Sequence, residues 1–361
     1  MTNKTKNIII TIIIPLFLIT FMIINLVKED DSLSLSERRP LAPFPELSLA
    51  KIFDGSFMSS FDKYATDQFY HRDDFRLLKA NIDLTFQKNY HNLYTYEDYI
   101  IEQIYPLNIN SINSLSKKIN NIKDQYLDST NQIYFSIVPD KNYYINNHNL
   151  KLDYQTLVST LKNNLSYAKY IDIMSELSLK DYYKTDPHWR EENLINVATT
   201  LTKNMNAYHS TSYNTTLLTT FKGTYSSRIP QKQEATDNLS ILTNFTINNA
   251  KVYNYQTNTS TAIYDLSAMS SNDKYNIYLS GSVPLITIIN PNPSNTKELI
   301  IFRDSFASSL APLLLSSYSK ITLIDTRYIS PKILSNYIDF SNKDILFIYS
   351  TLLINDSVSI K

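Results

Sequence analysis

The chain has 361 residues, with 34 basic side chains set against 34 acidic ones and no cysteine. A balanced charge without a basic stripe gives no reason to propose nucleic acid as a partner, and the lack of cysteine excludes disulfides, thiolate catalysis and cysteine-ligated metals. Only three glycines occur, so neither a phosphate-cradling P-loop nor a Gly-rich dinucleotide fingerprint can be written, and no cofactor is expected.

The first element is apolar. Lys4 and Lys6 precede an uncharged run from Ile8 to Val27, and about 20 such residues cross the hydrocarbon core of a bilayer. Lysines before the run and Glu29, Asp30 and Asp31 after it place residues 1–7 in the cytoplasm and everything after 28 outside. A cleaved signal peptide is the rival, but no small-x-small cleavage site ends the run, and the run is long for such a segment. The expectation is a membrane anchor over 8–27.

Residues 28–50 read as a tether, because Pro40, Pro43 and Pro45 interrupt helix and sheet alike. The rest, 51–361, reads as one catalytic domain. Its start, 51–126, is a helical lead-in: Phe57, Phe61, Tyr64, Phe69, Phe75, Leu78 and Ile82 recur at roughly helical spacing, and a further helix runs from Ile112 to Tyr126. Gln132–Val138 reads as a buried strand, Leu157–Tyr167 as a helix, Tyr170–Ile173 as a short strand and Trp189–Ala207 as an amphipathic helix. Residues 210–297, rich in Thr, Ser, Tyr and Asn, form a β-rich, antiparallel excursion. Alternation then returns: strand Glu298–Phe302, helix Ala307–Ser317, strand Ile321–Ile324, helix Pro331–Tyr337, strand Ile345–Tyr349. Strands alternating with helices predict an α/β fold with a parallel sheet flanked by helices. Its ligand site would lie beyond the carboxyl ends of the strands, where Ser305, Asp325, Arg327, Asp140 and Lys141 fall.

Two stretches carry chemistry. Asp186-Pro187-His188-Trp189 holds the sole tryptophan and one of five histidines. Asp and His two residues apart on an extended segment point to the same side, so the carboxylate can hold the imidazole as a general base. The bland alternative is a turn aspartate with a surface histidine. Phe302-Arg303-Asp304-Ser305-Phe306 places a serine between a strand and a helix, where its hydroxyl is exposed as a nucleophile; alternatively Asp304 or Ser305 merely caps the helix. Arg327 and Lys141 would contact an anionic substrate group or buttress the pocket, ion pairing of Arg327 with Asp325 being the competing role. A metal site is discounted, because His71, His91, His148 and His209 show no ligand spacing.

Asp186-Pro187-His188-Trp189 resembles the signature of the DHHW protein family, with Pro where the signature has its first His. These proteins resemble the alginate O-acetylation proteins of the SGNH-hydrolase-like superfamily. Ser36–Leu47, Phe53–Phe57, Tyr64–Phe75, Val138–Lys141, Phe221–Ser226, Lys274–Pro284, Arg303–Leu314 and Ile324–Tyr328 are similar to further family patterns, in the same order. The resemblance implies an SGNH-like fold and a triad of Ser305 nucleophile, His188 base and Asp186 orienter. It also implies O-acetyl transfer to, or removal from, a cell-surface polysaccharide, with a membrane partner supplying the acyl group. Two positions depart from the pattern. Ser308 stands where members often have asparagine, and Gly281-Ser282 where they often have Gly-Asn. If those asparagines feed the oxyanion hole, a lost donor costs on the order of a hundredfold in rate. The expected function is therefore a membrane-anchored, extracytoplasmic serine O-acyltransferase or acetylesterase, and its rival a weak or inactive glycan-binding or assembly protein of the same fold.

Overall fold

A computed structural model of the protein describes residues 3–34, 37, 39–86, 89–146, 150–229 and 235–361. Ser36 and Arg38 of the Ser36–Leu47 pattern, and His148, lie outside the described residues. The chain divides into two compact units, one of Met1–Tyr90 with Ser227–Lys232 and one of His91–Ser226 with Gln233–Lys361.

The first unit begins with helix α1 (Asn3–Val27), long and apolar enough to cross a membrane by length and composition. A two-residue ladder, β1 (Leu33–Ser34) with β2 (Arg39–Pro40), follows. The lead-in is three helices, α2 (Leu49–Phe53), α3 (Ser56–Asp67) and α4 (Arg72–Phe86). Gly55 at φ +79° and His71 at φ +56° break them apart. The expected tether is tied down: Arg39 clamps Asp67 with both terminal nitrogens at 2.8 and 2.6 Å, and Gln68 Nε2 donates to the Asp31 carbonyl.

The second unit opens with a hairpin, β3 (Leu93–Tyr96) and β4 (Tyr99–Glu102), inside the stretch 51–126 expected to be a helical lead-in. There follow α5 (Ile109–Tyr126), β5 (Gln132–Val138), α6 (Tyr154–Asn164), β6 (Lys169–Tyr170) and α7 (Ile195–Asn204). Next come β7 (Asn214–Phe221), α8 (Thr224–Arg228), β8 (Asp237–Thr243), α9 (Phe245–Asn249), β9 (Lys251–Asn254), β10 (Thr259–Thr261) and β11 (Leu285–Ile289). The chain ends with β12 (Glu298–Arg303), α10 (Ala307–Leu314), β13 (Lys320–Ile324), β14 (Asp344–Ser350) and α11 (Thr351–Asn355).

Eight strands form one sheet in the order β10-β9-β11-β13-β12-β14-β5-β6. It is parallel from β13 to β6, as expected, but antiparallel from β10 to β13. The sheet is thus mixed, because part of the 210–297 excursion adds to it as an edge. Antiparallel strands tolerate one wet face, and β10 is exposed throughout. Of the described strands of that excursion, β7 and β8 stand apart, as a bulged hairpin.

Alternating residues of the central strands feed two cores. Leu299 and Ile301 of β12 join Val197 and Leu201 of α7 and Leu310 and Leu314 of α10. Ile300 and Phe302 join Ile112 and Ile119 of α5 and Leu157 and Leu161 of α6. Helices therefore cover both faces. β13 and β14 flank β12 on opposite sides, so the connections diverge beyond the carboxyl end of β12, the usual crevice for a ligand in such sheets.

The helix expected over 189–207 covers only α7, preceded by a 3-10 turn at Glu191–Asn193. Residues 182–190 are held as a loop instead: Tyr183 N–H donates to the His188 carbonyl and Arg190 N–H to that of Asp181. The helix expected over 331–337 is a 3-10 turn, Pro331–Asn336.

Phe302 is fully buried and stacks on Phe347 at 4.8 Å. Phe302→Ala is expected to lower unfolding free energy by about 3–5 kcal/mol, to be measured by denaturant titration.

Candidate active site

The site is built where the loop 182–190 meets the turn after β12. Asp304 makes that turn: its Oδ1 accepts from Phe306 N–H at 3.1 Å, and its Oδ2 from Ser350 N–H, at the end of neighbouring β14, at 2.7 Å. Asp304 thus closes the turn ahead of α10, and neither it nor Ser305 caps the helix, for which no side-chain cap exists among the described residues. The Ser305 hydroxyl is left for another partner. Ser305 is half-buried, between a buried Asp304 and a buried Phe306.

That partner is His188, whose Nε2 lies 2.8 Å from Ser305 Oγ. Its Nδ1 lies 2.6 Å from Asp186 Oδ1. The other carboxylate oxygen, Oδ2, accepts from Thr224 N–H at 2.8 Å and from the Thr224 hydroxyl at 3.1 Å. The structure thereby brings Ser305, His188 and Asp186 into one hydrogen-bonded row. Asp186 is fully buried. Burial pushes its carboxyl up, but the charge and hydrogen bond of His188 and the amides of Thr224 and His188 outweigh it and hold the pKa at about 2.

Gly223 makes room for this carboxylate. A Cβ there would lie 2.3 Å from Asp186 Cβ and 2.6 Å from the Thr185 carbonyl oxygen. The preceding residues are clamped by Asp237, at the start of β8, which accepts from Lys184 N–H, Thr185 N–H and the Thr185 hydroxyl at 2.6–2.8 Å. The His188 ring lies flat on Tyr275, centroids 3.7 Å apart and planes 8° apart. Trp189 Nε1 donates to the Phe306 carbonyl at 2.9 Å and contacts Ser309 Oγ at 3.0 Å. Trp189 thus bolts the histidine loop to the serine turn.

The remaining expected residues fall into three places. Arg303 is fully buried, and its guanidinium donates to Ser308 Oγ at 2.6 Å and to the carbonyls of Gly281 and Val283 at 3.4 Å. Ser308 and Gly281 therefore meet through Arg303, while Ser282 is exposed. Burial lowers the Arg303 pKa against the pull of Asp325. Arg327 is paired with Asp325 through Nε at 2.9 Å and Nη2 at 2.6 Å, the competing role weighed from sequence. Lys141 is buried, and its ammonium donates to the carbonyls of Tyr183 and Lys184 at 3.0 and 3.3 Å and faces the Tyr225 ring at 5.0 Å. Burial lowers its pKa to about 7, against the pull of Asp186, Asp237 and Glu102. Lys141 buttresses the loop that carries Asp186.

Thr224, Gly223, Asp237 and Tyr275 escaped the sequence reading as site residues. Gly223 and Thr224 had a signal, since Phe221–Ser226 holds one of only three glycines. Asp237 had none, because it reaches its partners across more than 50 residues.

The second unit is thus a three-layer α/β fold that sets a strand-end serine against a buried histidine–aspartate pair. Among solved structures, the chain is similar to a DHHW family protein from Eubacterium siraeum DSM 15702, at 19% identity and TM-score 0.60 over 75% of this chain and 94% of that one. It is similar to Bacillus cereus PatB1 at 19% identity and TM-score 0.58, over 73% of this chain and 96% of that one; PatB1 has also been solved with a sulfonyl adduct. The O-acetyltransferase domain of Pseudomonas putida AlgJ is more distant, at 10% identity and TM-score 0.44 over 73% and 92%. The chain shares its fold with the first two. No protein-family model and no curated protein matches the sequence.

Two outcomes are expected of this geometry. Gly223→Ala should lower unfolding free energy by about 1–3 kcal/mol, since its Cβ would meet Asp186 and the Thr185 carbonyl; denaturant titration checks it. The lowered pKa of Asp186 stabilises the fold above the ordinary carboxylate value of 3.8, and that share is lost as pH falls towards about 2. It amounts to about 2 kcal/mol. Acid titration of unfolding free energy should therefore show a steeper fall across that window in the wild type than in Asp186→Asn.

Proposed function

We propose that the protein is a membrane-anchored, extracytoplasmic serine O-acyltransferase or acetylesterase acting on a cell-surface polysaccharide. The observation that carries this reading is the row from Asp186 through His188 to Ser305, with contacts of 2.6 and 2.8 Å. His188 Nε2 takes the Ser305 proton as Oγ attacks the acyl carbonyl. Asp186 fixes the tautomer and stabilises the imidazolium that forms. The leaving group then collects that proton, and an acyl ester remains on Ser305. A sugar hydroxyl or water, deprotonated by His188, completes the cycle. Acceptor choice between the two depends on pocket shape and water exclusion.

The fold shared with a DHHW family protein and with PatB1 supports the reading. So does α1, compatible by length and composition with a single-pass anchor. An acetyl donor outside the cell calls for a membrane partner that delivers the acyl group. The reading assigns the oxyanion to the Ser305 amide N–H at the start of the turn, helped by the nearby helix end of α10.

One observation favours the rival of a weak or inactive glycan-binding protein. Ser308 is fully buried, its Oγ accepting from Arg303 at 2.6 Å, so burial rather than that bond keeps its hydroxyl from a substrate oxyanion.

Purified full-length protein should hydrolyse a chromogenic acetyl ester. Ser305→Ala and His188→Ala should each lower kcat at least about a thousandfold, since members of such a unit fail together. An acetylated oligosaccharide product, formed when an acceptor glycan is added, would identify the transferase. Wild-type turnover no higher than that of Ser305→Ala would favour the binding protein.

A further inference from the structure

Helix α4 carries an apolar stripe that stays largely exposed among the described residues. Phe75, Leu78, Ile82 and Phe86 recur three, four and four residues apart, one face of a helix, and are 43, 56, 48 and 80% exposed. Ala80, the buried residue of the helix, sits on the other side. A contiguous exposed apolar face marks an interaction surface.

What covers it follows from α1. Near the carboxyl end of that helix the half-buried positions are Phe21, Ile24, Asn25 and Lys28, again one face. The start of α4 packs there. Phe21 stacks on Phe69 at 5.4 Å and meets Phe75 edge-on at 6.0 Å. Tyr70 N–H donates to Asn25 Oδ1 at 2.7 Å. Phe21 lies six residues before Val27, hence about 9 Å inside that end of the helix at 1.5 Å per residue. With α1 across a bilayer, Phe75 lies at acyl-chain depth, so lipid reaches the start of the stripe without any further partner. The charged side chains of α4 are held elsewhere: Arg72 and Arg76 pair with Glu37, and Lys79 with Asp83. An apolar stripe beside a paired, charged face is the pattern of a helix lying in the membrane interface.

We propose that α4 lies in the outer membrane–water interface beside α1, with Phe75, Leu78, Ile82 and Phe86 buried in lipid. The assignment rests on α1 being a retained span.

The chain has no cysteine, so each single-cysteine variant of the full-length protein carries one nitroxide label. Leu78→Cys, Ile82→Cys and Phe86→Cys are reconstituted in phosphatidylethanolamine–phosphatidylglycerol vesicles. Their collision rates with oxygen, which partitions into lipid, and with a water-soluble nickel chelate are read by EPR power saturation. Asp124→Cys, whose side chain is 69% exposed in the second unit, serves as the aqueous control, and Ile14→Cys as the span control. The proposal expects the three stripe labels to show an oxygen-to-nickel ratio several-fold above Asp124→Cys, approaching that of Ile14→Cys. High nickel access at the stripe would place it in water, and protection from both reagents would place it under protein; either overturns the proposal. If Ile14→Cys itself reads as aqueous, the anchor reading fails and this proposal with it. A lipid-exposed Ile14→Cys with an aqueous stripe overturns this proposal alone.

Discussion

Asp186 is a carboxylate held ionised where water does not reach. Isolated, such a charge costs several kcal/mol or more to bury. Here it accepts from His188 N–H and Nδ1 and from the Thr224 amide and hydroxyl, and every neighbouring choice serves that arrangement. Gly223 is short of a side chain so that Thr224 can come close. Asp237 clamps residues 184 and 185 so that the carboxylate does not swing, and Lys141 holds the carbonyls just before it. The imidazole is then fixed at Nδ1 by a charge that cannot leave, and its Nε2 has one place to point.

The second half of the site rests on the sheet. The turn after β12 is pinned by Asp304 to the end of β14, and β12 and β14 are bonded along their length. Ser305 inherits the position of the two most buried strands. Trp189 then joins the halves with an indole N–H on the Phe306 carbonyl, while Tyr275 supports the imidazole face. Arg303 is the unusual member: a guanidinium in the core with carbonyl and hydroxyl acceptors and no carboxylate hydrogen bond, its Nε without a partner among the described residues. It sets Ser308 and the Gly281–Val283 backbone behind the serine turn.

What sequence could show follows from the range of each interaction. β12 and β14 are buried on both faces and read as apolar runs; α5 announces itself by local periodicity. Strands β9–β11 lie in the stretch read as an antiparallel excursion, but their place in the main sheet was hidden, because whether strands join a sheet or leave it depends on pairings tens of residues away. The Asp–His spacing and the strand-end serine were visible as residue types in a short motif. Thr224, Asp237 and Tyr275 were not, since their importance lies in contacts across the fold. Lys141 and Arg327 were visible as charges, but charge alone does not say whether it meets substrate or, as here, backbone carbonyls and Asp325.

The central claim is that Ser305 Oγ becomes covalently acylated with help from His188. The most direct measurement is peptide-mapped mass spectrometry of the full-length protein quenched in acid shortly after mixing with an activated acetyl ester. A mass gain of one acetyl group is expected on the peptide containing Ser305, lost in Ser305→Ala and strongly slowed in His188→Ala. Acetylation confined to surface lysines, with Ser305 unmodified at every time point, would contradict it.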